Sequence, residues 1–169
     1  VKRERVLQRV SETTPHLLAY SSLWLTRPSV AVLQKLDGST TSFEVTTGVD
    51  QGDPLAPFLF AVGLPLQEIR VRIAKLLQDA AALDPARTGL LAGALLSYLD
   101  DLSLAVPSDL AGPARQVVVE ELSRVGLTVN CEKSLVFSSA GDCPAGCEDW
   151  WANASRNDGF LACGKPFGA

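Results

Sequence analysis

An α+β fold, with an antiparallel sheet backed by helices, is what this sequence predicts, and three observations predict it. Residues 53–73 and 108–125 carry apolar positions at helical spacing. Residues 29–45 and 95–106 break instead into short β-prone runs on either side of an acidic centre. The chain has 169 residues, 47% hydrophobic and 20% charged, which is ordinary globular composition and enough to bury a core.

In chain order, residues 1–25 read as helix. Val6, Leu7 and Val10 form one apolar cluster, Leu17 and Leu18 a second, and Pro15 marks a break between them. After Pro28, Val30, Val32, Leu33 and Leu36 run into Asp37-Gly38, with Phe43 and Val45 beyond, and β-prone runs around a DG pair predict a hairpin. Residues 47–57 form a loop that opens a helix, with Asp53 as N-cap and Pro54 at the first helical position. Phe58, Leu59, Val62, Leu66, Ile69 and Ile73 keep helical spacing, while Gly63 and Pro65 predict a kink.

Residues 95–106 read as two short strands around Asp100-Asp101. Ser108-Asp109 then caps a helix with Pro113 in its early turns, Val118, Leu122 and Val125 on one face, and Gly126 as its stop. Leu127, Val129 and Cys131 alternate with Thr128, Asn130 and Glu132, which predicts a strand continuing to Phe137. Residues 138–158 read as loop apart from Trp150-Trp151, and 159–168 as a short strand and turn.

Composition bounds the partners. The net charge of −4 alone argues against tight nucleic-acid binding, but it is unevenly spread: residues 1–35 hold six Lys/Arg against two Glu, and 36–110 hold four against ten Asp/Glu. No apolar run reaches the roughly 18 residues of a membrane span, so no membrane partner is expected. The basic first ten residues lack the apolar stretch of a signal peptide, which makes an intracellular location the expectation. Met is absent throughout, position 1 included, so a longer parent polypeptide is expected. Cys143 and Cys147 stand near ligand spacing, yet Cys131 and Cys163 form no second close pair and His16 is distant, so reduced thiols are favoured over a metal site.

The stretch Leu95-Leu96-Ser97-Tyr98-Leu99-Asp100-Asp101-Leu102-Ser103-Leu104 sets two adjacent carboxylates among mostly apolar residues. Such a pair must be exposed in a turn or given a counter-charge. A two-residue hairpin turn wants Asn-Gly or a similar pair, and Tyr98-Leu99-Asp100-Asp101 offers neither residue. Local rules broken in an otherwise consistent sequence mark functional or strained positions. A divalent hard cation would neutralise the pair, since carboxylate oxygens suit Mg²⁺. These residues alone leave an acidic turn in water open as well.

Four blocks, in order, carry a resemblance. Gly48-Val49-Asp50-Gln51-Gly52-Asp53-Pro54-Leu55-Ala56-Pro57-Phe58-Leu59-Phe60 is similar to the "G-x-x-Q-G-D-P-L-S-P-x-L-F" block of reverse transcriptases, with Ala56 for the usual Ser. Tyr98-Leu99-Asp100-Asp101 resembles their Y-x-D-D box, and Gly126-Leu127-Thr128-Val129-Asn130 with Lys133-Ser134 their "G-L-x-x-N-x-x-K" block. Gly164-Lys165-Pro166-Phe167-Gly168 looks like the start of the primer-grip segment. Together the blocks span residues 46–168, and the first is long and specific. The chain thus resembles the palm domain of RNA-directed DNA polymerases, closest to the non-long-terminal-repeat retrotransposon type, the site-specific elements of trypanosomatids among them.

The resemblance implies a partial polymerase palm: residues 1–45 as palm helix and hairpin at the end of the fingers, 46–137 as palm core, and 138–169 as a loop and the start of the primer grip. It implies nucleotidyl transfer of deoxynucleoside triphosphates to a DNA primer's 3′-hydroxyl on an RNA template, in the nucleus. Asp100 and Asp101 fall where the family holds two Mg²⁺ ions (Mn²⁺ substituting), with Asp100 the principal ligand. Tyr98 falls where the family positions the primer end, and Gln51 and Gly52 where it receives nucleotide phosphates or template backbone. Lys133 matches a Lys placed near the departing pyrophosphate, where an acid would protonate the leaving oxygen. The family's third catalytic carboxylate lies on a strand before the segment that Val1 begins, and fingers and thumb also fall outside the chain. The isolated chain is therefore expected not to polymerise. A catalytically dead nucleic-acid-binding or scaffold domain derived from a palm is the competing expectation, and a polymerase copying RNA into RNA is disfavoured by the Q-G-D-P-L-A-P block.

Overall fold

The computed structural model describes residues 1–50, 52–84, 94–151, 160–162 and 165–167. They form a mixed α+β chain that divides into two compact units, Val1–Leu64 and Pro65–Ala169. Gln51, Cys163, Gly164, Gly168 and the segment 152–158 of the expected loop lie outside the described residues.

The first unit begins with helix α1, Arg3–Thr13, whose buried residues Arg3, Val6 and Val10 recur at one-turn spacing and so share a face. Pro15 ends this pattern as expected: a single 3₁₀ turn, Pro15–Leu17, leads into helix α2, Leu18–Leu25. Strands β1, Ser29–Gln34, and β2, Thr40–Val45, pair antiparallel from Ser29↔Val45 to Gln34↔Thr40. Their connection holds the Asp37-Gly38 pair: Gly38 takes φ +84°, and Asp37 Oδ1 accepts from the Ser39 amide and hydroxyl at 2.9 and 2.6 Å.

Helix α3, Ala56–Gly63, closes the unit and starts two residues later than the expected cap predicts. Asp53 caps a lead-in turn instead, its carboxylate accepting the Leu55 N–H at 2.9 Å and its carbonyl the Ala56 N–H at 3.0 Å. Pro57, rather than Pro54, occupies the first helical turn. The helix stops where the sequence requires. Gly63 lies against α1 so closely that a Cβ there would come within 2.9 Å of Val6 Cγ2 and 3.0 Å of Val1 Cγ2. Leu64, which precedes Pro65, is extended, as residues before proline prefer.

The second unit is a hairpin backed by two helices. Helix α4, Leu66–Leu83, buries Ile69, Ile73 and Leu77 at helical spacing. Strands β3, Ala94–Tyr98, and β4, Asp101–Ala105, pair antiparallel. After a 3₁₀ turn, Ser108–Leu110, helix α5, Ala111–Arg124, buries Ala114, Val117 and Val118 against the same core, on which Leu95, Leu102 and Leu104 of the hairpin also pack. Each fully buried Ile or Leu contributes about 1.5–3 kcal/mol of transfer free energy. Gly126 ends α5 with φ +82°: its N–H reaches the Ser123 carbonyl, and the Leu127 N–H reaches Leu122. Between α4 and α5, Arg72 bonds Glu120 and the buried Glu121, each at 2.8 Å.

Two expectations need correction. The strand predicted over 127–137 does not form. Asn130 folds the chain into a local turn, its side-chain oxygen accepting the Glu132 and Lys133 N–H groups and its carbonyl the Ser134 N–H and hydroxyl. Such asparagine-capped turns compete with strand pairing. The expected single antiparallel sheet is, among the described residues, three separate two-stranded hairpins, the third formed by β5, Phe160–Ala162, and β6, Lys165–Phe167. Helix α6, Glu148–Trp151, holds the tryptophan pair, and Arg115 stacks on the Trp150 ring at 4.5 Å. Cys143 and Cys147 are free thiols, and burial pushes the Cys147 thiol up. No described helix is long and apolar enough to cross a membrane.

Candidate functional site

The β3–β4 register settles where each residue of Tyr98-Leu99-Asp100-Asp101 stands. Tyr98 pairs with Asp101, so Leu99 and Asp100 alone make the turn. Strand alternation then sorts the side chains. Leu95, Leu102 and Leu104 face the helices, while Leu96, Tyr98, Asp101 and Ser103 share the opposite face. That face is open: Leu96 and Tyr98 are 68% and 69% exposed. The hairpin is anchored on one side only.

The turn is strained in the place that the sequence marks. Leu99 takes φ +51° and is the one non-glycine with positive φ among the described residues. A branched side chain there costs about 1–2 kcal/mol relative to ordinary backbone. This tight turn holds Asp100 at the tip and Asp101 at the start of β4, both exposed. Neither carboxylate has a hydrogen-bond or ion-pair partner among the described residues, in contrast to Glu120 and Glu121 of the same unit.

Two adjacent, uncompensated carboxylates at an exposed tip are hard oxygen donors of the kind Mg²⁺ takes, so their chemistry fits such an ion. They are a partial ligand set. No group of three or more His, Cys, Asp or Glu suited to a metal occurs among the described residues.

The other expected residues divide. Lys133 lies in the Asn130 turn, exposed and without an ion pair to Asp100 or Asp101. Gly52 belongs to the first unit and stands two residues after Asp50, with φ +96° and open space where a Cβ would be, so backbone conformation rather than packing requires glycine there. Gln51 lies outside the described residues.

A residue that the motifs do not single out stands beside Gly52's loop. Arg3 is 4% exposed, and its guanidinium donates to the Gly48 carbonyl at 3.0 Å, the Arg27 carbonyl at 2.6 Å, Ser29 Oγ at 3.1 Å and Asp50 Oδ1 at 3.4 Å. Ser29 Oγ in turn donates to Asp50 Oδ2 at 2.7 Å. The signal was present in the sequence, since Arg3 falls on the apolar spacing of Val6 and Val10.

Comparison with known proteins adds no assignment: no family model, no curated protein and no solved structure matches the chain.

Proposed function

We propose that this chain is the palm portion of an RNA-directed DNA polymerase, adding deoxynucleotides to a primer's 3′-hydroxyl on an RNA template. The observation that carries the reading is the β3–β4 tip, where a strained Leu99 turn exposes Asp100 and Asp101 with no cation among the described residues paired to them. A fold leaves two adjacent carboxylates bare at little cost only in water, and strain held at such a turn points to a use for its shape. The four sequence blocks, the second of them the Y-x-D-D hairpin, support the same reading.

In this reaction the primer's 3′-oxygen loses its proton and bonds the α-phosphorus, and pyrophosphate leaves with the broken phosphoanhydride bond. Asp100 and Asp101 would hold a divalent ion, which when bound would supply charge neutralisation at the reacting phosphate. Tyr98, directly opposite Asp101 on the open face, offers an aromatic ring for the primer end to rest on. Gly52, with open space where a Cβ would stand, offers backbone that a phosphate can approach closely. Lys133 is the proposed donor to the leaving oxygen.

Primer extension tests the proposal. An RNA template, a DNA primer, deoxynucleotides and Mg²⁺ are given to the longest polypeptide encoded in frame with residues 1–169. Template-directed extension supports the reading. A polypeptide that binds the primed template but extends nothing, with either Mg²⁺ or Mn²⁺, supports a catalytically dead scaffold instead.

A further inference from the structure

The geometry points to Arg3 as a positioning residue that holds the loop carrying Gly52 on helix α1. A buried guanidinium is costly unless its donors are paired, and here each of the three nitrogens has an acceptor. Those acceptors are not scattered. Gly48 O and Asp50 Oδ1 belong to the loop, while Arg27 O and Ser29 Oγ belong to the segment that opens β1. The planar fork of Arg therefore fixes two chain segments against α1 at once, which the point charge of Lys cannot reproduce.

The loop is tied at further points. The Gly48 N–H donates to the Val1 carbonyl at 2.9 Å, so Gly48 is held through both its amide and its carbonyl. Its φ of +77° turns the chain there. Downstream, the Asp53 N–H reaches the Asp50 carbonyl at 3.3 Å, and Asp53 seats the start of α3. Helix α3 then returns to α1, where Gly63 permits close contact with Val6 and Val1. The segment between Gly48 and Gly63 thus has α1 as its bed at both ends, and Arg3 is the tether nearest Gly52.

Stability alone does not call for this arrangement, because well-packed apolar replacements of buried ionic groups are often neutral or stabilising. What the guanidinium adds is direction. Its catalytic meaning rests on the polymerase reading proposed above, whereas the tether itself does not.

Amide hydrogen exchange on the 169-residue chain tests the tether, comparing Arg3→Met, Arg3→Lys and the control Arg9→Gln, which breaks only the exposed Arg9–Glu12 pair on the same helix. Arg3→Met and Arg3→Lys should speed exchange at Gly48, Asp53, Leu55 and Ala56 about tenfold or more, while Val10 and Leu59 stay within about threefold. Asp50→Asn, which leaves the guanidinium its three other acceptors, gives the same pattern more weakly and serves if Arg3→Met fails to fold. Uniform acceleration across α1, the loop and α3, or a loop response as large in Arg9→Gln, overturns the inference.

In the polymerising polypeptide, Arg3→Lys should raise the nucleotide KM about tenfold with kcat within about threefold, the signature of lost positioning before the chemical step. A fall in kcat at unchanged KM overturns the positioning role. A wild-type polypeptide that makes no DNA removes the polymerase reading, and the exchange pattern still decides the tether.

Discussion

Asp50 and Asp100 are acidic residues in tight connections, and the fold treats them in opposite ways. Asp50 lies between two positive-φ glycines, Gly48 and Gly52, and its carboxylate is held by Arg3 and Ser29. Asp100 follows a leucine forced to positive φ, has another carboxylate beside it, and has no partner among the described residues. At the first site glycine removes backbone strain and a buried cation offsets the charge. At the second, strain and charge are both left standing. An acid with protein partners is part of the scaffold, whereas a bare pair on a strained turn is available to a cation from outside.

The largest expected effect separates these two roles. In the polymerising polypeptide, Asp100→Asn should lower primer extension by a hundredfold or more, because losing one preorganised electrostatic contact at a reacting centre costs about 2.7–4 kcal/mol. The melting temperature of the same variant should hold or rise slightly, since the change removes one of two like charges side by side. Asp50→Asn should do the reverse, losing about 1 kcal/mol of stability from its weakened bonds to Arg3 and Ser29. Extension within tenfold of wild type for Asp100→Asn would rule Asp100 out as the proposed metal ligand and collapse the contrast.

A smaller effect sharpens the contrast at the backbone. Leu99→Gly removes the positive-φ penalty at the hairpin tip, but it frees the unfolded chain and loses the contacts of a side chain that is 41% exposed. The net expectation is a gain of about 0.5–1 kcal/mol in a denaturant melt. Extension should fall despite that gain if the proposed role of the turn holds, because relieving its strain loosens the placement of Asp100. A variant that is more stable and equally active would show the strain to be incidental.

Much of this architecture was legible because breakers and periodicity agree. Pro15 splits the first helix, Asp37-Gly38 turns the first hairpin, Gly63 and Pro65 divide α3 from α4, and Gly126 stops α5. The hairpin around Asp100-Asp101 was readable from its β-prone flanks, though its turn chemistry was not, because Leu99 breaks the residue preference on which such a reading depends. The strand predicted over 127–137 failed for a local reason: alternation was present, but Asn130 satisfied the next backbone donors itself. Arg3 went unread because a charged residue on an apolar stripe looks like helix surface. Only the loop and strand acceptors folded against it turn that position into a tether.

The smallest expected effect concerns acids that are neither held in a loop tether nor bare. Glu120 sits on the surface of the α4–α5 pair, and hydrogen bonds first from Arg72 and then from Gln116 hold its carboxyl below the ordinary carboxylate range. Because its folded pKa is depressed, its contribution is fully present above the unfolded value and is lost as pH falls through the folded one. Thermal melts from about pH 6 down to about pH 3 should therefore fall slightly more steeply for the wild-type chain than for Glu120→Gln, which keeps the hydrogen-bond geometry without the titrating charge. Parallel pH curves for wild type and Glu120→Gln would place the Arg72–Glu120 pair among surface ion pairs that contribute nothing measurable. The contrast between tied and bare acids would then stand on Asp50 alone.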